Sequence, residues 1–209
     1  MAEERLEALR NQGTTIQPVR IQGDHAAQSV WSRAWYRHIS SLGDIGKRLP
    51  KGQIYARNGS IRHLEVLPGK VQALVMGTKV YDVVLRVLPV RGSVWQDIKN
   101  LSSGRVDSEQ DICQGNLPAV VMDRILDPDN GLFPVPHELS WSCTCQEKES
   151  VCKHVAAVLY GLGARLDQSP EAIFRWRGVH PRDLLLSKLN IQRAQAEYKE
   201  HILSQEQVG

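Results

Sequence analysis

Hydrophobic and polar positions along this chain change their period between its N-terminal and C-terminal halves. Trp31, Trp35, Ile39 and Leu42 recur at helical spacing behind Ser29, a residue type that caps helix N-termini, and predict a helix there. Segments 53–57, 61–67, 71–76 and 80–88 then read as strands. Val71, Ala73 and Val75 alternate with Gln72, Leu74 and Met76, and Tyr81, Val83, Leu85 and Val87 share one face of the last segment. Asn58-Gly59 and Pro68-Gly69 supply tight reversals between them, because a glycine accepts the positive φ that such turns require. The expected first half is an N-terminal helix plus a four-stranded antiparallel meander.

The second half returns to helical spacing. Val94, Trp95, Ile98 and Leu101 form one stripe, and Leu117-Pro118 opens another helix through Ala119, Met122 and Leu126. Residues 127–136 are turn-rich. A short strand through Leu139 and Trp141 precedes the apolar helix 155–166, and Ser169-Pro170-Glu171 starts a short helix ending near Arg177. From Pro181 a longer helix carries Leu184, Leu185, Leu189, Ile191, Tyr198 and Ile202. Residues 1–24 are polar and irregular, so they read as a flexible N-terminal arm. The organisation expected is 25–91 for the helix and basic meander, 92–136 for an acidic helical connector, 137–180 for a cysteine-bearing subdomain and 181–209 for a C-terminal helix.

That subdomain holds the candidate chemistry. Cys143, Cys145, Cys152 and His154 place three thiols and an imidazole within twelve residues, with Cys113 the one other cysteine of the chain. Cys143 and Cys145 stand two apart, on the same side of an extended strand, while Cys152 and His154 lie on the entry turn of a helix, whose positive end favours thiolate. Isolated cysteines are ordinarily small buried hydrophobes, but close paired spacing suits tetrahedral zinc better than a disulfide framework or a nucleophile. Three thiolates and a neutral imidazole leave the centre at net minus one, and Lys148 and Lys153 are the nearest cations. Four protein ligands leave no open position for an activated water, so one structural zinc ion is expected. Cys113, in an acidic stretch, reads as an ordinary reduced thiol. The fold class expected is therefore α+β, with the helical second half carrying a small zinc-finger subdomain.

Composition and charge narrow the setting. With 209 residues and 42% hydrophobic content the chain can bury a substantial core without a metal. No apolar run approaches the roughly 20 residues of a membrane helix, so the expectation is a cytoplasmic protein with no membrane partner. Residues 33–91 carry eleven Lys or Arg against Asp44, Glu65 and Asp82, whereas residues 92–150 hold four bases against ten acids. A basic patch attracts phosphate backbones. Arg57, Arg62, Lys70 and Lys79 on the meander, with Arg165, Arg175 and Arg177 near the cysteines, are the candidate nucleic-acid contacts, against the ordinary reading of such charges as solvated surface. No G-x-S-x-G, H-E-x-x-H or phosphate-loop spacing occurs. Asp123, Asp127 and Asp129 read as solvated acids at a helix end and turn rather than a cation site.

The run Trp141-Ser-Cys143-Thr-Cys145, followed by Cys152-Lys-His154-Val-Ala-Ala-Val-Leu-Tyr160, resembles the SWIM zinc finger, whose pattern is C-x-C, a variable gap, then C-x-H. Gly161 to Asp167, Pro170 to Gly178, Trp31 to Trp35 and Tyr55-Ala-Arg57 resemble bacterial SWIM family proteins, over about residues 30–180. The resemblance implies zinc on Cys143, Cys145, Cys152 and His154 and no catalytic residue. It also implies an accessory role beside a Swi2/Snf2-type helicase or ATPase. Direct DNA or RNA binding is the alternative, and an enzyme with a structural zinc the third.

Overall fold

A helix that is apolar on every face must be surrounded by protein, and this requirement organises the fold. The computed structural model describes residues 2–21 and 27–185. The elements are α1 (Ala2–Asn11), α2 (Val30–Ser41), α3 (Gly43–Arg57), β1 (Ile61–Leu67), β2 (Lys70–Met76), β3 (Val80–Val87), α4 (Gly92–Ser102), α5 (Glu109–Gln114), α6 (Ala119–Ile125), β4 (Leu139–Cys143), α7 (Lys153–Gln168) and α8 (Ala172–Trp176). Every residue of α7 from His154 to Ala164 is buried. The sheet packs against α7, and so do α2 and α3.

The sheet is an antiparallel meander in the order β1-β2-β3-β4. Its strands are not all those expected, because the fourth arrives from residues 139–143, which pair with β3 through Val83↔Cys143, Leu85↔Trp141 and Val87↔Leu139. Pro68-Gly69 makes the predicted reversal, with Leu67 paired to Lys70 and Gly69 at φ +69°. Leu64, Val66, Val71, Ala73, Val75, Val83 and Leu85 are buried, and adjacent strands align them into one apolar face.

Residues 53–57, expected as a strand, are the last turns of α3. The helix buries Ile45, Leu49, Gly52 and Ala56 at four- and three-residue spacing. Its three glycines and Pro50 obscure that spacing in the sequence. Two of them are contacts: a Cβ on Gly46 would lie 2.3 Å from the Ser40 carbonyl oxygen, and one on Gly52 2.3 Å from the Ala156 carbonyl carbon. Asn58-Gly59 is accordingly a helix stop and not a hairpin. Gly59 at φ +68° donates to Ala56 O (3.2 Å) and Ser60 to Tyr55 O (3.0 Å), the two bonds of a Schellman motif.

The N-terminal residues are likewise built into the fold. They form α1, bury Leu6, and lay an extended stretch along β1, where Val19 N–H donates to Ile61 O (3.1 Å) and Leu64 N–H to Gln17 O (2.8 Å). Arg5 Nη2 meets Asp82 Oδ1 at 2.6 Å. Residues 2–11 did not read as a helix because only Leu6 of α1 is buried, too thin a stripe to register as a period. Of the expected C-terminal helix, Pro181–Leu185 is described, with Leu184 buried, and residues 186–209 lie outside the described set.

Helix α2 starts where expected, with Ser29 Oγ accepting from Ser32 N–H. Its tryptophans are core. Trp31 meets Phe174 edge-on at 5.5 Å, and Trp35 meets Phe133 and Trp176 at 5.5 and 5.9 Å while donating to Leu159 O (2.9 Å). Next to Trp176, Arg177, 1% exposed, pairs with Glu138 at 2.9 Å and donates to Leu88 O (2.6 Å).

Gly52→Ala would push a methyl into the α7 backbone. Loss of about 1–3 kcal/mol of stability is expected, a fall in Tm of roughly 2–4 °C per kcal/mol for a chain of this size. An unchanged Tm would show that the helices can separate without cost.

Two buried histidines add a pH dependence. Burial lowers the pKa of His38, which donates from Nε2 to Pro134 O (3.0 Å), and of His63, whose Nδ1 accepts the Gln17 N–H (3.2 Å). Both folded values lie below the ordinary imidazole value of 6.5, so between the folded value and 6.5 the unfolded chain binds more protons. Their contribution is therefore complete above about pH 6.5 and lost as pH falls below it, by at most about 1.4 kcal/mol per pH unit for each histidine. Urea midpoints between pH 7.5 and 5.5 should fall less steeply in the His38→Gln/His63→Gln double variant than in the wild type; parallel slopes would refute the assignment.

Candidate metal centre

Strand β4 and helix α7 deliver the four candidate ligands from opposite sides of a short loop. Cys143 ends β4, opposite Val83 of β3, and Thr144 locks the following turn to the sheet: its N–H donates to Asp82 O (3.1 Å) and its hydroxyl accepts from Asp82 N–H (3.0 Å). Cys145 follows in that turn. On the other side Cys152 is the N-cap of α7, its sulfur accepting from Val155 N–H (3.4 Å), and His154 follows in the first turn. A sulfur at this position receives both an orphan amide and the positive end of the helix dipole. The loop between is closed by Trp141 Nε1 donating to Ser150 O (2.7 Å), by the Lys153–Glu147 ion pair (2.6 Å) and by buried Val151.

The four donor atoms lie within 4.8 Å of one another. Nδ1 of His154 sits 3.8 Å from the Cys143 sulfur and 4.0 Å from the Cys152 sulfur. Tetrahedral zinc, with bonds of about 2.3 Å to sulfur and 2.0–2.1 Å to nitrogen, requires donor separations of about 3.6–3.8 Å, so the residues present fit the ion with small closure. Cys152 and His154 are buried, and Cys143 and Cys145 half-buried. Tyr81 stacks on the imidazole at 4.0 Å and Tyr55 meets it edge-on at 5.5 Å. The ring fits because position 77 is glycine: a Cβ there would stand 3.0 Å from Tyr81 and 3.3 Å from His154 Nε2. Nδ1 is thus turned to the sulfurs, and buried Nε2 has no hydrogen-bond partner among the described residues.

The thiols are unequal. Cys152 is pulled down to about 4, first by its hydrogen bond with Cys143 and then by those from His154 and the Val155 amide. The Cys143 bond in turn pushes that thiol far up, with burial adding to it. Zinc bound here would supply a cross-link from β4 to α7, filled by protein donors on all four sides.

The other sequence candidates scatter. Cys113 stands outside the group, its thiol raised by burial and by Glu171 and Glu109. Asp127 accepts the amides of Asp129 and Asn130 at 3.0 and 2.6 Å, so it shapes a turn, and Asp123, Asp127 and Asp129 form no metal group among the described residues. Two of the arginines proposed for nucleic acid are structural. Arg177 is consumed by Glu138 and Leu88, and Arg165 donates from Nη2 to Gln17 O (3.0 Å) and Leu64 O (3.3 Å). Arg57, Arg62, Lys79 and Arg175 are exposed and Lys70 half-buried, yet they form no single patch: Lys70 begins β2 and Lys79 follows its end, roughly 20 Å or more apart. The cations the sequence reading passed over are on helices. Arg33, Arg37, Lys47, Arg48 and Lys51, five of the eleven basic residues between 33 and 91, belong to α2 and α3, as does the candidate Arg57.

A strand that ends on one ligand pair and a helix that begins on the other define a four-liganded β-to-α zinc finger with three cysteines and a single histidine. Residues 124–162 match the SWIM zinc finger family, and the chain carries that finger. Over 174 residues it is 33% identical to the uncharacterized protein Rv2102 of Mycobacterium tuberculosis, a match that covers 82% of this chain and 61% of the relative, so the chain spans about three fifths of that protein's length. No solved structure matches. Among the described residues no helix is long and apolar enough to cross a membrane.

Purified chain should hold one zinc per molecule by elemental analysis, and Cys145→Ala or His154→Ala should lose it. Hydrogen exchange should then quicken in residues 139–166 more than in β1 and β2, since metal affinity becomes local folding free energy. Equal zinc in wild type and both variants would remove the metal from these residues.

Proposed function

We propose that the protein is a non-catalytic zinc-binding module of the cytoplasm, an accessory adaptor in nucleic-acid transactions that works beside a Swi2/Snf2-type ATPase. The observation that supports the non-catalytic part is the donor set: three sulfurs and Nδ1 gather within 4.8 Å of one another, and four protein donors leave a tetrahedral ion no open position for an activated water. The ATPase partner rests on the SWIM resemblance. Direct contact with DNA or RNA is the second reading, supported by the collection of cations on α2 and α3.

The adaptor reading is tested by adding zinc-loaded chain to a purified Swi2/Snf2-type ATPase from the same organism and following DNA-stimulated ATP hydrolysis. A rise in turnover of several-fold, absent with His154→Ala and absent from the chain alone, is expected. Hydrolysis by the chain alone would make it an enzyme, and an unaltered ATPase rate would sink the adaptor role.

A further inference from the structure

Beside the metal centre, α3 and the loop 146–151 enclose a cleft of about 370 Å³ lined by Arg48, Lys51, Glu147, Lys148, Glu149 and Lys153. All six side chains are charged, four positive and two negative. Glu149 pairs with Arg48, which is held in the cleft with its side chain 19% exposed, and Glu147 pairs with Lys153 at 2.6 Å while its other oxygen accepts the Lys153 amide at 3.4 Å. Lys51 and Lys148 form no ion pair among the described residues and face solvent. Each carboxylate thus already occupies a position where an anionic oxygen is bound by a cation, and two cations remain over.

We propose that this cleft is a docking surface for the phosphate backbone of duplex DNA. The inference rests on the nucleic-acid reading above and says where and how contact is made. Its chemistry excludes the neighbouring choices. Single strands are held by bases stacked on aromatic rings, and the cleft presents none. Protein partners anchor on aromatic or aliphatic side chains in desolvated pockets, which a lining made only of charges does not supply. A duplex asks for cations alone, held on a rigid element, and α3, a helix of 15 residues, presents Arg48 and Lys51 one turn apart in the cleft. Glu147 and Glu149 compete internally: DNA phosphates replace them on Lys153 and Arg48, which keeps the surface weak for stray anions, while counterions released from the duplex make binding salt-dependent.

The test uses the full zinc-loaded chain and fluorescence anisotropy of a labelled 20-base-pair duplex between about 50 and 200 mM salt. Lys51→Glu/Lys148→Glu should weaken binding by about tenfold or more and flatten the slope of log affinity against log salt by about two. Glu149→Gln, which frees Arg48, should tighten it. All three positions are exposed and none is a zinc ligand, so zinc content and circular dichroism should match the wild type. Binding that survives Lys51→Glu/Lys148→Glu but is lost in Arg62→Glu/Lys70→Glu would overturn the cleft and keep the nucleic-acid reading, with the sheet as its surface. Wild type that binds no duplex at all would overturn both. Equal affinity for poly-L-glutamate and duplex would overturn the cleft as a DNA site in favour of an acidic protein partner.

Discussion

Burial of α7 on every side is the constraint from which the rest of this structure follows. A helix with Val155, Ala156, Val158, Leu159, Leu162 and Leu166 around its circumference has no face for water, so sheet and helices must close on it together. The small residues determine how closely. Gly52 brings α3 to the backbone at Ala156, and Gly161 makes room for Ile61 and Leu64 of β1. Trp35 of α2 donates to the Leu159 carbonyl, so the second layer is tied to the central helix by hydrogen bonding as well as by apolar contact. Each of these contacts depends on the others, because removing one layer would expose the side of α7 that it covers.

The metal centre is the point at which this packing becomes directional. Apolar contact between a sheet and a helix tolerates sliding; four ligands do not. Two come from the end of β4 and the turn behind it, two from the first turn of α7, and the His154 ring is clamped by Tyr81 from the adjacent strand and Tyr55 from α3. The centre therefore registers three elements at once: sheet, central helix and covering helix. Its place at the N-terminus of α7 also bears on its electrostatics, since the amide that caps Cys152 lowers the pKa of that thiol. The same end of the helix borders the charged cleft, so metal centre and cationic surface share one scaffold.

The finger was legible in the sequence because it is local. Cys143 to His154 spans twelve residues, and a strand followed by a helix entry leaves those ligands few ways to meet except around one ion. The sheet was legible as alternation, and Ser29 and Pro68-Gly69 performed as their chemistry dictates. Asn58-Gly59 was misread for a reason that is general: a glycine at positive φ serves a hairpin and a helix C-terminus equally well, and only the partners of Gly59 and Ser60 distinguish them. Arg165 and Arg177 differ from expectation for another reason. Whether a guanidinium faces solvent depends on carbonyls and carboxylates far away in the chain, Glu138 for Arg177 and Gln17 for Arg165, and a charge count carries no trace of them.

The sequence alone determined the ligand set, the antiparallel order of β1 to β3 and the apolar character of the helix that follows the cysteines, since each depends on residues close in the chain or on a period that few elements satisfy. Tertiary structure decided the rest. It took the fourth strand from residues 139–143, turned a glycine-rich stretch into α3 because that helix can lie against the backbone of α7, placed the N-terminal residues on β1, and gathered charge from α3 and the finger loop into one cleft. All four depend on surfaces that exist only once α7 is buried, and burial of a common core is a long-range, cooperative quantity that no local pattern contains.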